Sequence, residues 1–188
     1  MAWYSVDTAS YPNMTDAQKE NNVNIIAAYF RGHGWTDNAI AGLCGNMEIE
    51  SYLNPAQFEI GHNFSSSYGF GLVQWTPRTK YSSWAGSDWR TNFDKQLQRI
   101  TYEMENPNVQ WIAVAEYNYM SFYDYSRSTQ TPEYLVMVFE KSYERGTPMT
   151  SQRQAAARKW YEYLGNTPTP SMNLPIWLLF KLRWNKGR

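Results

Sequence analysis

The stretch Thr36-Asp-Asn-Ala-Ile-Ala-Gly-Leu-Cys-Gly-Asn-Met-Glu-Ile-Glu-Ser-Tyr-Leu-Asn-Pro55 reads as a helix with an apolar stripe and acidic residues near its far end. Thr36 supplies an N-cap hydroxyl, and Asp37 sets a negative charge against the positive end of the helix dipole. Ile40, Leu43, Cys44 and Met47 recur at i, i+3, i+4 and i+7, the spacing of one buried stripe. Asn54-Pro55 ends the segment, because the residue before a proline is pushed out of the helical region. Glu48 and Glu50 lie near the C-terminal end, where the dipole disfavours an anion. The helical repeat puts them on opposite edges of the stripe. A carboxyl there can be partly desolvated and still face a groove, the condition for the proton donor that glycoside hydrolysis needs. The plainer reading is a solvated glutamate, and Glu48 rivals Glu50.

Outward from this helix, residues 1–14 read as an irregular lead-in. Thr15 and Gln18 have capping-box spacing ahead of the apolar run Val23, Ile25, Ile26, Ala28, Tyr29, Phe30, which predicts a first helix ending at Gly32-His-Gly34. On the other side the pattern changes. Turn residues at 61–69 separate Gln57–Ile60 from the short apolar stretch Phe70–Val73, which predicts a small β-hairpin lobe. Helices then return, with Phe93, Leu97, Ile100 and Met104 on one stripe. Asn106-Pro107 and Thr131-Pro132 read as N-cap plus N1-proline starts. Val136, Phe139 and Tyr143 share a face, and a last helix carries Ala157, Trp160, Tyr161 and Leu164. The expected fold class is α+β, mainly α: a helical domain over residues 15–165 with a β-hairpin lobe. A Pro-rich linker follows at 166–175, then an apolar and basic tail at 176–188.

Composition narrows the function classes. The formal net charge is zero, which points away from nucleic acid as a partner. Every acidic residue precedes Gly165, whereas Lys181, Arg183, Lys186 and Arg188 leave the last stretch basic. Cys44 is the single cysteine, so no intrachain disulfide can form. His33 and His62 are too few for a zinc site without a carboxylate contribution, and neither metal nor cofactor is expected. The opening residues lack the charge and apolar run of a signal peptide, and no apolar stretch approaches the ~20 residues that span a bilayer. Aromatic residues make up 17% of the chain, with 9 Trp and 15 Tyr, rigid faces suited either to a core or to an extended polar ligand such as a sugar.

Two segments carry a resemblance. Gly45-Asn-Met-Glu-Ile-Glu-Ser-Tyr-Leu-Asn-Pro55 followed by Ser67-Tyr-Gly-Phe-Gly-Leu-Val-Gln-Trp75 resembles the Glu-Ser and Gly-Leu-Met-Gln pair of goose-type lysozymes and soluble lytic transglycosylases. Closer still is a resemblance to the phage tail lysozyme family of tail-knob proteins. It rests on Gly-Trp-Thr at 34–36, Ala-Ile-x-Gly at 39–42, Asn-Met-x-x-Glu-Ser at 46–51, Gly-Phe-Gly-Leu-Val-Gln-Trp-Thr-Pro at 69–77 and Ser-Tyr-Glu-Arg at 142–145. The resemblance implies a lysozyme-like fold and cleavage of peptidoglycan glycan strands. It maps the catalytic acid to Glu50 rather than Glu48.

Each remaining site residue has two readings. Gly69 and Gly71 would let the backbone approach a sugar. Gln74 offers an amide to N-acetyl groups. Trp75 is either a stacking face or a core residue. Ser67 and the adjoining Tyr68 are expected at the substrate, although Ser67 also reads as a turn residue. By resemblance, Tyr143 would hydrogen-bond the catalytic carboxyl; otherwise it is a buried helix tyrosine. Glu48, Glu59 and Glu144 compete as second carboxylate, and Arg145 beside Glu144 reads equally as its ion-pair partner. Transglycosylation needs no second carboxylate, so it stays open beside hydrolysis. A cysteine peptidase is disfavoured because Cys44 falls on the apolar stripe. A non-catalytic wall-binding or structural tail module is a further alternative.

The resemblance implies bacterial peptidoglycan as partner, together with other phage tail proteins or a further lytic domain. It implies a place in the virion tail, or at the host wall after release, for a protein made in the host cytoplasm. The tail at 176–188 interleaves Lys and Arg with Trp and Leu, which suits a membrane surface or a protein interface.

Overall fold

A computed structural model describes residues 1–106, 109–146 and 149–166. Among these residues seven α-helices follow one another: α1 (Asp16–Gly32), α2 (Asp37–Ser51), α3 (Thr79–Ala85), α4 (Asp94–Glu105), α5 (Phe122–Arg127), α6 (Pro132–Phe139) and α7 (Thr150–Asn166). A 3₁₀ turn at Ala115–Tyr117 precedes α5, and a π-helical turn at Glu140–Glu144 continues α6.

Local signals set several of these boundaries. Thr15 and Gln18 form the reciprocal capping box at the start of α1. The Thr36 hydroxyl accepts from the Ala39 amide at the start of α2, and Thr131 caps α6 with Pro132 in its first turn. Asn106 caps the C-terminus of α4 instead of starting a new helix; its partner Pro107 lies outside the described residues. So do the proposed linker, from residue 167 onward, and the tail.

The expected β-hairpin lobe does not form. Among the described residues there are only two isolated bridges, Thr8 with Gln57 and Phe58 with Phe70. Two backbone hydrogen bonds flank the second bridge, Glu59 N–H to Gly69 O at 3.0 Å and Gly71 N–H to Gln57 O at 2.8 Å. The ladder then stops because the chain turns at Gly71 (φ 84°) and again at Gln74 (φ 46°). An Ala at Gly71 would also bring its Cβ to 2.6 Å from Gln96 Oε1. Extended pairing cannot propagate through such conformations. The fold is therefore mainly α, with a lobe of turns covering one side.

α2 is the central element. Ala39 to Met47 are all buried, a wider burial than one stripe requires, because α6, α7, α1 and α5 all pack on α2. Contact with α7 is close: a Cβ on Gly45 would stand 2.8 Å from the Ala157 backbone nitrogen. At its other end α2 leaves the core. Tyr52 (φ 57°) and Leu53 (φ 60°) end the helix ahead of Asn54-Pro55, and the buried Ser51 hydroxyl sits 2.9 Å from both Met47 O and Leu72 O. Ser51 thereby fixes the helix end, and Glu50 with it, against the lobe.

Candidate active site

Between the end of α2, the lobe and the π turn lies a cavity of about 470 Å³. Glu50 enters it from α2, Glu59 and the segment Val73–Thr76 from the lobe, and Glu144 to Gly146 from the π turn and its exit. Glu50 is 21% exposed and accepts a hydrogen bond at 2.6 Å from Nη2 of Arg153, which is itself 3% exposed. The other Arg153 branch donates from Nη1 to Asn46 Oδ1 at 2.7 Å. Asn46 is in turn anchored by its amide to the carbonyls of Gly42 and Val136.

Glu144 ends the π turn. The residue is partly exposed, but its Oε1 is buried and accepts no hydrogen bond among the described residues. Burial first, and then the negative charge of Glu50, push its carboxyl well above the usual carboxylate range; Arg153 opposes this, Glu103 adds to it and Arg145 opposes it again. Glu144 therefore holds a proton more tightly than it would without Glu50 facing the same cleft. Arg145 does not cap Glu144: its Nη1 donates to the carbonyls of Gln110 and Ser142 at 2.7 and 2.9 Å.

The other second-carboxylate candidates differ. Glu59 lines the cleft and accepts from the Gly69 amide at 2.8 Å. Glu48 faces away from it, bonded to Trp160 Nε1 at 2.6 Å and Lys19 Nζ at 3.1 Å. It lines a second cavity of about 590 Å³, separated from the first by Ile60, which belongs to both.

Gln74 and Trp75 lie in the cleft wall. The Gln74 amide nitrogen is used inside the lobe, donating to Gln57 O and Gly71 O. Trp75 is only 2% exposed, stacked on Tyr81 with centroids 4.8 Å apart, so it closes the wall and offers no open face. Gly71 is buried behind the wall, Tyr68 stacks on His62, and Ser67 lies in an exposed turn; none of the three lines the cleft. The Tyr143 hydroxyl donates to Glu103, not to Glu50.

The family model for the phage tail lysozyme matches residues 21–164. The chain belongs to the phage tail lysozyme family. Over 153 residues it is 41% identical to Morphogenesis protein 1 of Bacillus phage B103, a match covering 79% of this chain and 41% of that protein. The chain thus spans about two fifths of that relative's length.

No described helix is long and apolar enough to cross a membrane, and the described residues contain no cluster of three or more His, Cys, Asp or Glu that could hold a metal ion. Cys44 is buried, and burial pushes its thiol far up, which withholds the thiolate a peptidase needs. Sequence reasoning missed several residues of the site, among them Lys80 and Gln110 in the cleft lining, and Arg153 and Glu103 behind it. Arg153 sits on a helix whose local pattern gives no sign of Glu50. Glu103 stands one turn from Arg99, a spacing that also suits an ordinary exposed helix pair.

Proposed function

We propose that this phage tail lysozyme cuts the N-acetylmuramic acid–N-acetylglucosamine backbone of bacterial peptidoglycan, and that a phage tail carries it to open the host wall for DNA entry. The observation that carries the reading is the pair Glu50 and Glu144 in one cleft, with a proton favoured on Glu144. Residues 15–165 are the catalytic body in this proposal, and 166–188 a linker and a tail that dock to a partner surface.

In the proposed reaction a glycan strand fills the cleft and crosses Ile60 into the second cavity. A carboxyl of the pair gives its proton to the glycosidic oxygen as the bond from that oxygen to the sugar C1 breaks. The carboxylate left opposite takes a proton from water, whose oxygen bonds to C1. Glu50, the member exposed to the cleft and held by Arg153, is the donor: the pair's one proton passes from Glu144 through Glu50 to the glycosidic oxygen, and Glu144, now a carboxylate, takes the proton from water. One observation favours the reverse assignment within the same activity: the raised proton affinity resolved for Glu144 suits a donor, with Glu50 then acting on water.

The activity is tested on purified walls with the wild type and Glu50→Gln, by mass spectrometry of released fragments. Reducing-end muramic products that vanish in the variant support hydrolysis. Anhydro-muramic products would retain Glu50 and replace water by the substrate's own hydroxyl. Glycan left uncut by the folded wild type removes the reading and leaves a wall-binding module. The two assignments separate on an aryl glycoside with a good leaving group, which needs no proton donor: the donor variant, Glu50→Gln or Glu144→Gln, is the one that retains cleavage of it.

A further inference from the structure

Among the described residues the proposed chemistry leaves two buried carboxyls unused, Glu103 and Glu140, and of these Glu103 reaches the walls of the cleft. It is 1% exposed and accepts from three side chains on three separate segments. Arg99 Nε donates at 2.7 Å from one turn earlier in α4, Trp75 Nε1 at 3.2 Å from the lobe, and the Tyr143 hydroxyl from the π turn. An ion pair with Arg99 alone would leave the carboxylate inside α4. Instead it reaches the two segments that form facing walls of the cleft. Trp75 is one wall, and Tyr143 immediately precedes Glu144 in the other. Gln110, also in the cleft lining, donates to the Tyr143 carbonyl at 2.9 Å and ties the same turn down a second time.

We propose that Glu103 is a positioning residue for glycan cleavage, tying the Trp75 wall to the Tyr143–Glu144 turn and so fixing the gap that receives the strand. The inference rests on the glycan-cleaving reading. Charge gives it a second consequence. The groups that face Glu144 are Glu50 from α2, Arg153 from α7, Glu103 from α4 and its neighbour Arg145; those that face Glu103 are Arg99 and Tyr143. The negative charge of Glu103 is one of the influences that hold the proton on Glu144, after burial and Glu50. A neutral group of the same shape at 103 would let Glu144 release its proton at lower pH.

The test measures cleavage of solubilised glycan strands against pH by the wild type, Glu103→Gln and Tyr143→Phe, with thermal unfolding in parallel. Glu103→Gln is expected to lower kcat/KM about tenfold to a hundredfold. It should also move the upper limb of the pH profile down by about half a pH unit. Tyr143→Phe removes one tie and keeps the carboxyl, so kcat falls while the upper limb moves less than in Glu103→Gln. A folded Glu103→Gln protein with wild-type kcat/KM and an unmoved limb overturns the proposal, since a merely structural carboxylate would give that result. If Glu103→Gln does not fold, Tyr143→Phe decides: a loss in kcat of about tenfold at an unchanged melting temperature supports positioning, and an unchanged kcat overturns it. A wild type that cuts no strand is a separate failure, that of the glycan-cleaving reading itself.

Discussion

Arg153 Nη2 donates to Glu50 Oε1 at 2.6 Å across 103 residues of sequence, and this contact joins α7 to the candidate active site. Arg153→Lys keeps the charge but cannot bond Asn46 and Glu50 together with one planar fork. Wall-lysis rate should fall about tenfold or more, as expected when a reacting group loses its orientation. Arg153→Ala strands the buried Asn46 oxygen and leaves Glu50 without its counter-charge, for a loss of about 3 kcal/mol in urea unfolding. Full activity in both variants would remove Arg153 from the site.

Glu144 makes stability depend on pH. Its folded-state affinity for a proton is raised by burial and by Glu50, so the contribution is complete below the ordinary glutamate range and is lost as pH rises through the raised folded value. Glu144→Gln carries no such charge. The variant should gain melting temperature relative to the wild type as pH rises above the ordinary glutamate range, and the gain should level off above the raised folded value. Its wall-cleaving activity should fall at the same time. A melting difference that stays flat from acid to neutral pH would refute this account of Glu144.

Gly45 sets the distance between α2 and α7. Gly45→Ala would place a Cβ 2.8 Å from the Ala157 nitrogen and 2.9 Å from its Cα, so the helices must separate. A cost of about 1–3 kcal/mol is expected in chemical unfolding. Activity should drop further than stability explains, because Arg153 rides on the displaced helix one turn before Ala157. An unchanged unfolding midpoint would show that the helices accommodate the methyl freely.

Cys44 lies in the core with its thiol buried. Cys44→Ala should retain wall cleavage within about twofold while losing on the order of 1 kcal/mol of stability. In the native protein a thiol reagent should react only at the rate of global opening. Rapid labelling with loss of activity would reopen the cysteine-peptidase reading.

The sequence made the helical skeleton legible where local chemistry is strong. Thr15 with Gln18, Thr36 and Thr131-Pro132 mark helix starts that the structure contains. The lobe misled because Gln57–Ile60 and Phe70–Val73 have the apolar content of strands. Ser51 and Gln96 bond Leu72 from outside the lobe and draw that segment into turns. The site was legible in part. Glu50 and Glu144 stood out in motifs, and both line one cleft. Trp75 and Tyr143 stood out as well, yet their polar atoms turn inward to Glu103. Arg153 and Glu103 were invisible as site residues because their partners lie on other elements, and no local periodicity encodes a distant hydrogen bond.

The π turn at Glu140–Glu144 holds one more residue than an α-helical turn would. A single-residue deletion there would let the segment relax into regular helix. A regular turn covers nearly the same rotation with one residue fewer, so the flanking helices can keep their places while the side chains within the turn change register. Tyr143 and Glu144 would then compete for positions that now serve Glu103 and the cleft separately. The surplus residue therefore lets one turn of backbone serve two carboxyl environments at once.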